Sequence, residues 1–129
     1  MKAWAPVLDR IEQTTKDANA MSDVQGLLAR LVAAYGTNAV GRMLGTNGSL
    51  VTRWKQGVQP ISPLMKKRII DIHDVLNRAL QVYPSPYAER WLVGHSPRLN
   101  GARPIDVLVT RGVADVIAAL ESIDQGAYV

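Results

Sequence analysis

The residues best suited to chemistry lie in one short stretch, residues 45–57, which reads GTNGSLVTRWKQG. Its polar side chains are of the types that hydrogen-bond to base edges in the DNA major groove. Arginine can bind guanine through two atoms, asparagine and glutamine can bind adenine in the same way, and threonine offers a hydroxyl and a methyl group. We predict that a DNA-reading surface is formed by Asn47, Gly48, Ser49, Thr52, Arg53 and Gln56, with the glycine allowing a close backbone approach.

A second group of polar residues is placed to contact phosphates, where contacts add affinity without sequence choice. This group comprises Thr37, Arg42, Lys55, Lys66 and Lys67. Residues 38–80 carry seven Lys and Arg against two Asp, a net charge of +5, whereas residues 81–129 carry a net charge of −1. A basic middle favours a polyanionic partner. The alternative is that these side chains form an ordinary solvated polar face.

The elements that must position these residues are predicted to be helices. Apolar residues recur with a period of 3.6 along residues 23–35, 63–83 and 113–123, and no segment alternates with period two for long. Val40 and Leu44 suit a first helix with Gly45 at a turn, and Val51 with Trp54 anchor a second helix whose polar face stays free. That pattern is typical of a helix-turn-helix. The sequence therefore predicts an all-α fold, with a helix-turn-helix helical domain and a small C-terminal helical module.

Local signals predict where these helices begin. Cap residues are expected at Thr37, at Asn47 or Ser49, and in the two Ser-Pro pairs that begin at Ser62 and Ser85. Gly41 is a weak residue inside a helix.

The long helix after Ser62 carries a seam that needs a partner, either a second copy of the chain or the interior of the monomer. The seam consists of Met65, Ile69, Ile72, Leu76, Ala79 and Tyr83.

Composition argues against several functional classes. Cys is absent, which excludes disulfides, thiolate catalysis and cysteine-based zinc sites. His73 and His95 are the two histidines, and neither has a second metal ligand at useful spacing. No P-loop, dinucleotide fingerprint or nucleophile elbow appears. With no targeting segment or long apolar run, we expect a soluble cytoplasmic protein that is not an enzyme and needs no cofactor or metal.

Two parts of the chain resemble known modules in a specific order. The stretch that ends in Trp54-Lys55-Gln56-Gly57 resembles the Xre-type (Cro/repressor-like) helix-turn-helix. The C-terminal part resembles the toxin-binding domain of Xre/MbcA/ParS-type antitoxins, and the matching residues are Trp91, Leu92, Leu99, Gly101, Pro104, Leu108, Gly112, Val116, Leu120 and Gly126. The resemblance covers residues 22–129 and divides them into a helix-turn-helix domain (22–80) and a toxin-binding module (81–129). Residues 1–21 are weakly patterned, and we expect them to form a weakly structured arm.

This resemblance implies a function and partners. Such antitoxins neutralise a RES-domain toxin, which depletes the cell of NAD, by covering its active site, and many bind their own promoter. It implies a cognate RES-domain toxin, promoter DNA, and a homodimer or a toxin–antitoxin hetero-oligomer. Toxin contacts are expected from three arginines, Arg98, Arg103 and Arg111. They are also expected from a tail that begins at a flexible glycine and consists of Gly126, Ala127, Tyr128 and Val129.

Three alternatives stay open. The tail can simply fray and the arginines can be solvated. The C-terminal module can serve only to dimerise a transcriptional regulator. The chain can also be a protein-interaction adaptor that does not bind DNA.

Overall fold

The computed structural model describes residues 23–126, and every regular element within that range is helical. This confirms the prediction of an all-α fold. The elements are α1 (residues 23–35), α2 (Thr37–Met43), α3 (Gly48–Lys55), α4 (Pro63–Val82), α5 (Tyr87–Val93), a 3-10 turn (Pro97–Leu99), α6 (Pro104–Arg111) and α7 (Ala114–Gly126). None of the helices in this range combines the length and apolarity that crossing a bilayer requires.

Two of the predicted helix caps are present. The side chain of Asn47 accepts the backbone N–H of Leu50 at 2.9 Å and begins α3. The hydroxyl of Ser62 accepts the backbone N–H of Met65 at 3.3 Å, and Pro63 takes the first helical position of α4. In both cases the cap satisfies a donor that has no partner inside the helix.

The other two predicted caps are wrong. Thr37 is the first residue of α2, and the cap position is held by Gly36, whose φ of 89° suits glycine and which makes no side-chain cap. At α5 the cap position is held by Pro86, also without a side-chain cap. Ser85 instead donates its hydroxyl to the Glu89 carboxylate at 2.9 Å.

A glycine brings α2 and α3 together. Gly41 is buried, and a Cβ at this position would lie 2.6 Å from the backbone carbonyl carbon of Asn47. The sequence interpretation of Gly41 as a weak helical position missed this role. Its low helix propensity accompanies a close backbone approach that a larger residue would prevent.

The seam of α4 is buried within the monomer. Ile69, Ile72 and Ala79 are fully buried and Leu76 is 7% exposed. Against this helix lie α5, α6 and α7. Of the two predicted possibilities for the seam, the structure therefore shows burial inside the chain rather than availability to a second copy.

Three side chains tie helix backbones together by hydrogen bonds. Gln25 in α1 donates to the carbonyl of Trp54 at 3.3 Å, and Arg68 in α4 donates to the carbonyl of Leu44 at 3.1 Å. The bond from Arg68 gives a carbonyl at the end of α2 a partner that helix C-termini lack. The bond from Gln25 adds a second donor to the Trp54 carbonyl, which also accepts the backbone N–H of Gly57 at 3.1 Å. Tyr35, the last residue of α1, donates its hydroxyl to the backbone carbonyl of Glu89 at 2.9 Å and so ties α1 to α5.

Candidate nucleic-acid and partner interfaces

The polar face of α3 points away from the core. Val51 is fully buried and Trp54 is 3% exposed, and these two residues lie three positions apart on the inner face. Thr52, Arg53 and the nearby Gln56 are exposed. The anchoring residues thus hold the side chains that the sequence assigns to base reading on the outside of the molecule.

Three of the predicted DNA-reading residues also have roles inside the protein. The side-chain oxygen of Asn47 accepts the hydrogen bond that caps α3. A two-bond contact from this amide to adenine would need the same oxygen, so it competes with the cap. The Asn38 side chain occupies the space that a Cβ of residue 48 would need. Packing within the protein therefore favours glycine at position 48, independently of any DNA contact. Thr52 donates its hydroxyl to the carbonyl of Gly48 at 3.0 Å. Sequence reasoning gave Asn47 as one of two candidates for the α3 cap, but it treated Gly48 and Thr52 as DNA contacts alone.

The remaining polar residues around α3 differ in exposure and pairing. The exposed ones are Ser49, Arg42 and Lys55, whereas Thr37 and Lys66 are half-buried. Lys67 pairs with Asp71 at 2.7 Å across one turn of α4. Its side chain is still 69% exposed, and an exposed pair of this kind contributes little to stability, about 0–1 kcal/mol.

The three arginines that were assigned together to toxin binding lie in two different places. Arg98 and Arg111 line one cleft of about 340 Å³ beside α7. Arg103 lines a different cleft of about 320 Å³, together with Tyr35 of α1 and Arg42 of α2. The sequence could not separate them, because their grouping depends on the path of the loop before α6 and on the orientation of α6.

Arg103 is engaged by a carboxylate. Its guanidinium donates twice to Asp106, with N–O distances of 2.8 and 2.9 Å. This hydrogen-bonded pair lowers the pKa of the Asp106 carboxyl below its ordinary value. The same bond raises the pKa of Arg103.

The sequence predicts a flexible tail from Gly126 onward, and the structure differs from this prediction at Gly126. The helix α7 continues through Gly126, so this glycine is a helical residue and not the flexible start of a tail. Helix hydrogen bonding extends further than the glycine signal indicated, as helix propensity is only a weak guide near a terminus. Ala127, Tyr128 and Val129 lie outside the described residues.

Both histidines hold structural positions. His95 donates from Nδ1 to the carbonyl of Gly101 at 2.8 Å and closes the loop before α6. His73 is 8% exposed, and its Nδ1 accepts the side-chain N–H of Asn77 at 3.2 Å. Burial, and then the charge of Arg30, lower the pKa of His73 below its ordinary value. Within residues 23–123, no group of three His, Asp or Glu side chains gathers at one point where it could hold a metal ion.

A further cleft was not anticipated as a site. It has a volume of about 510 Å³, and its lining includes Tyr83, Trp91 and Arg98. The sequence placed Tyr83 in the seam of α4, but this residue ends the helix with extended backbone and is half-buried. The signal that could have found the cleft is Trp91, which was singled out only as a residue shared with a family.

Comparison with known proteins gives one informative match. No protein-family model matches the chain, and no solved structure matches it. The chain is 26% identical over 108 residues to the mycobacterial cidal antitoxin MbcA of Mycobacterium tuberculosis, a match that covers 84% of this chain and 94% of that protein. The similarity extends over almost the whole of that antitoxin, and it supports an MbcA-type antitoxin.

Proposed function

We propose that this chain is the antitoxin of a type II toxin–antitoxin system. It neutralises a RES-domain, NAD-degrading toxin by covering its active site, and it represses its own promoter through α2 and α3. The observation that carries this proposal is the similarity to the antitoxin MbcA over 84% of the chain. The finer identification of the toxin as a RES protein comes from the resemblance of residues 81–129 to the toxin-binding module of such antitoxins.

Neutralisation is tested by co-expression with the product of the neighbouring reading frame, which this proposal predicts to be a RES-type protein. Induction of that protein alone should stop growth and lower cellular NAD, and co-expression of this chain should restore both. The two proteins should also purify as one complex. Growth arrest that this chain does not relieve, with no complex formed, would contradict the proposal.

The proposed role of the C-terminal residues has its own test. We propose that the side chains of Tyr128 and Val129 enter the NAD pocket of the toxin, which accepts a ligand that carries an aromatic group. Deletion of residues 127–129 should then abolish neutralisation. A truncated chain that still restores growth and NAD fully would defeat this idea and would leave the antitoxin role standing.

The DNA-binding part of the proposal is supported by the surface around α3. Thr52, Arg53 and Gln56 are exposed on and just beyond a short helix that follows a turn, with Arg42 exposed on the preceding helix. The segment that contains them, residues 38–80, carries a net charge of +5. A helix of this kind docks its N-terminal part in the major groove while neighbouring basic residues contact phosphates.

Gel-shift titrations against promoter DNA and scrambled DNA at several salt concentrations test this role. Arg53→Ala should cost about 1–3 kcal/mol on the promoter and reduce the preference over scrambled DNA, because a base contact is lost. The double variant Lys66→Ala, Lys67→Ala should weaken binding to both DNAs alike. It should also make the salt dependence of the binding constant less steep by the amount that about two phosphate contacts contribute.

Arg78→Ala is the matched control for these variants. It removes one positive charge from α4, but Arg78 lies eleven residues beyond Lys67, where it lines a cleft with Ile117 and Glu121 of α7. Its effect on both DNAs should therefore be small. A wild-type chain that binds no promoter DNA would favour the adaptor over the repressor. Promoter binding that survives both test variants unchanged would exclude the surface around α3 as the DNA contact.

A further inference from the structure

Two clefts of the C-terminal half meet at one side chain. Arg98, in the 3-10 turn, lines the cleft beside α7 together with Arg111 and Ser122. The same arginine lines the larger cleft that contains Tyr83 and Trp91. We call this pair of clefts, which share Arg98 in their linings, the double cleft. Its basic side contains Arg98 and Arg111, and its aromatic side contains Tyr83 and Trp91.

The described lining of the basic side of the double cleft contains two arginines and one carboxylate, so its net charge is positive. Arg98 is exposed and donates to the hydroxyl of Ser122, which is a neutral partner. Neither Arg98 nor Arg111 forms an ion pair within the part of the chain that the structure describes, whereas Arg103 pairs with Asp106. One carboxylate in the lining, that of Asp115, faces two guanidinium groups. An incoming carboxylate would complete the charge balance of this side.

The aromatic side of the double cleft offers apolar surface. Tyr83 and Trp91 are both half-buried, so their rings are held by the core while part of each stays accessible. Trp, Tyr and Arg are the residue types most enriched at the energetic centres of protein interfaces, where rigid rings bury large areas at low entropic cost. Here the three types lie along one continuous surface.

We propose that this double cleft is the docking site of the cognate toxin. An acidic side chain of the toxin binds between Arg98 and Arg111, and a neighbouring apolar side chain packs against Tyr83 and Trp91. The inference rests on the proposed function, and it assigns Arg103 no part in this contact. Charge complementarity is the argument for this occupant, because an acidic group pairs with arginine by two parallel hydrogen bonds.

Affinity measurements with the neighbouring RES-type protein, inactivated by a substitution in its active site, test the proposal. Arg98→Glu and Arg111→Glu should each weaken binding at least about 10-fold, because each places a carboxylate against the carboxylate of the toxin. Trp91→Ala should weaken binding to a similar extent by removing the aromatic wall. Arg98→Gln, which removes the charge without reversing it, should fall between wild type and Arg98→Glu.

Arg103→Glu is the matched control. It makes the same charge change in the same half of the chain but on the other cleft, and it should alter affinity by less than about 3-fold. Thermal melts of all variants check that they stay folded at the temperature of the binding assay. Toxin variants that regain binding to Arg111→Glu can be selected. They should carry Lys or Arg in place of an Asp or Glu of the toxin, because this restores the opposite charge.

The outcomes separate this inference from the proposed function. If the wild-type chain binds the toxin and Arg98→Glu and Arg111→Glu bind it equally well, the double cleft is not the docking site and the antitoxin role stands. If the wild-type chain sediments as a dimer, the two variants sediment as monomers and toxin affinity is unchanged, the surface binds a second copy and the inference is overturned. If the wild-type chain binds no toxin, the proposed function fails.

Discussion

At the residue scale, glycine has opposite consequences at two helical positions. Gly26 lies exposed in α1, and a Cβ there would meet no atom within 4 Å. Gly41 lies in α2, and a Cβ there would collide with the backbone of Asn47 at 2.6 Å. Both positions look alike in the sequence, since each is a glycine inside an apolar helical pattern. The difference arises from how closely α2 approaches α3, which no local pattern encodes.

Replacing each glycine by alanine should therefore change stability in opposite directions. Gly26→Ala should stabilise the protein by about 0.5–1 kcal/mol, because alanine loses less backbone freedom on folding. Gly41→Ala should destabilise it by about 1–3 kcal/mol, because the backbones must separate to admit the methyl group. Urea unfolding measures both. A stabilising Gly41→Ala would show that the α2–α3 approach is looser than described.

A second residue-scale prediction concerns His73. Its pKa in the folded protein is lowered from 6.5 by burial and by Arg30, with Asp74 acting in the opposite direction. Well above pH 6.5 the histidine is neutral in both states and its contribution to stability is complete. As the pH falls below that value, the unfolded chain takes up a proton before the folded one, so stability declines.

Replacement of this histidine should flatten that decline. Unfolding of His73→Gln, followed from pH 7.5 to 5.5, should show less loss of stability than the wild type. The control Val58→Ala, at an exposed side chain that does not titrate, leaves His73 in place and should keep the wild-type slope. Equal slopes for His73→Gln and wild type would mean that His73 is not the group responsible.

At the element scale, periodicity was sufficient to locate the helices but not the clefts between them. The buried faces of α3, α4 and α7 follow from residues such as Val51, Ile69 and Val116, each of which is fully buried. These positions repeat along the chain with the helical period, so the sequence contains them directly. Which arginines share a cleft depends instead on how α6 and α7 cross, so the sequence did not indicate that Arg103 and Arg98 line different clefts.

The hydroxyl of Tyr35 provides an element-scale prediction. It ties the end of α1 to the Glu89 carbonyl of α5 at 2.9 Å, and burial, followed by the charge of Glu89, raises its pKa so that it stays protonated. Tyr35→Phe should lower the free energy of unfolding by about 0.5–1.5 kcal/mol. Tyr87→Phe, on a ring that is 58% exposed, is the control and should have almost no effect. Equal stabilities of the two variants would argue that this bond is weak in solution.

At the scale of the whole molecule, one continuous core supports both proposed interfaces. The buried cluster includes Val24 of α1, Val51 of α3, Ile72 of α4, Leu92 of α5 and Leu120 of α7. The helix α4 belongs to both halves, because it follows α3 and contacts α5, α6 and α7. A fragment that ends within or just after α4 would leave the face that packs on the later helices exposed to water.

This continuity predicts a single unfolding transition. Leu92→Ala should cost about 2–5 kcal/mol, since it leaves a cavity at a fully buried site. Val51→Ala should cost less, because fewer buried groups are removed, and both variants should lower the midpoint of one calorimetric transition whose calorimetric and van't Hoff enthalpies agree. Val58→Ala, at a side chain that is 70% exposed, is the control and should stay within about 0.5 kcal/mol of wild type. Two transitions, with Val51→Ala lowering one and Leu92→Ala the other, would contradict a shared core.

The shared core also predicts how the two proposed activities respond to substitution. Near the midpoint temperature, Val51→Ala and Leu92→Ala should reduce DNA binding and toxin binding together, because each depletes the one folded state that carries both surfaces. Surface variants should instead separate the activities. Arg53→Ala should impair promoter recognition and leave neutralisation intact, and Arg98→Glu should do the reverse, since the two side chains lie on different helical segments and share no partner. Paired gel-shift and growth assays on these four variants would reveal the pattern, and loss of both activities in Arg53→Ala would show that the surfaces are coupled.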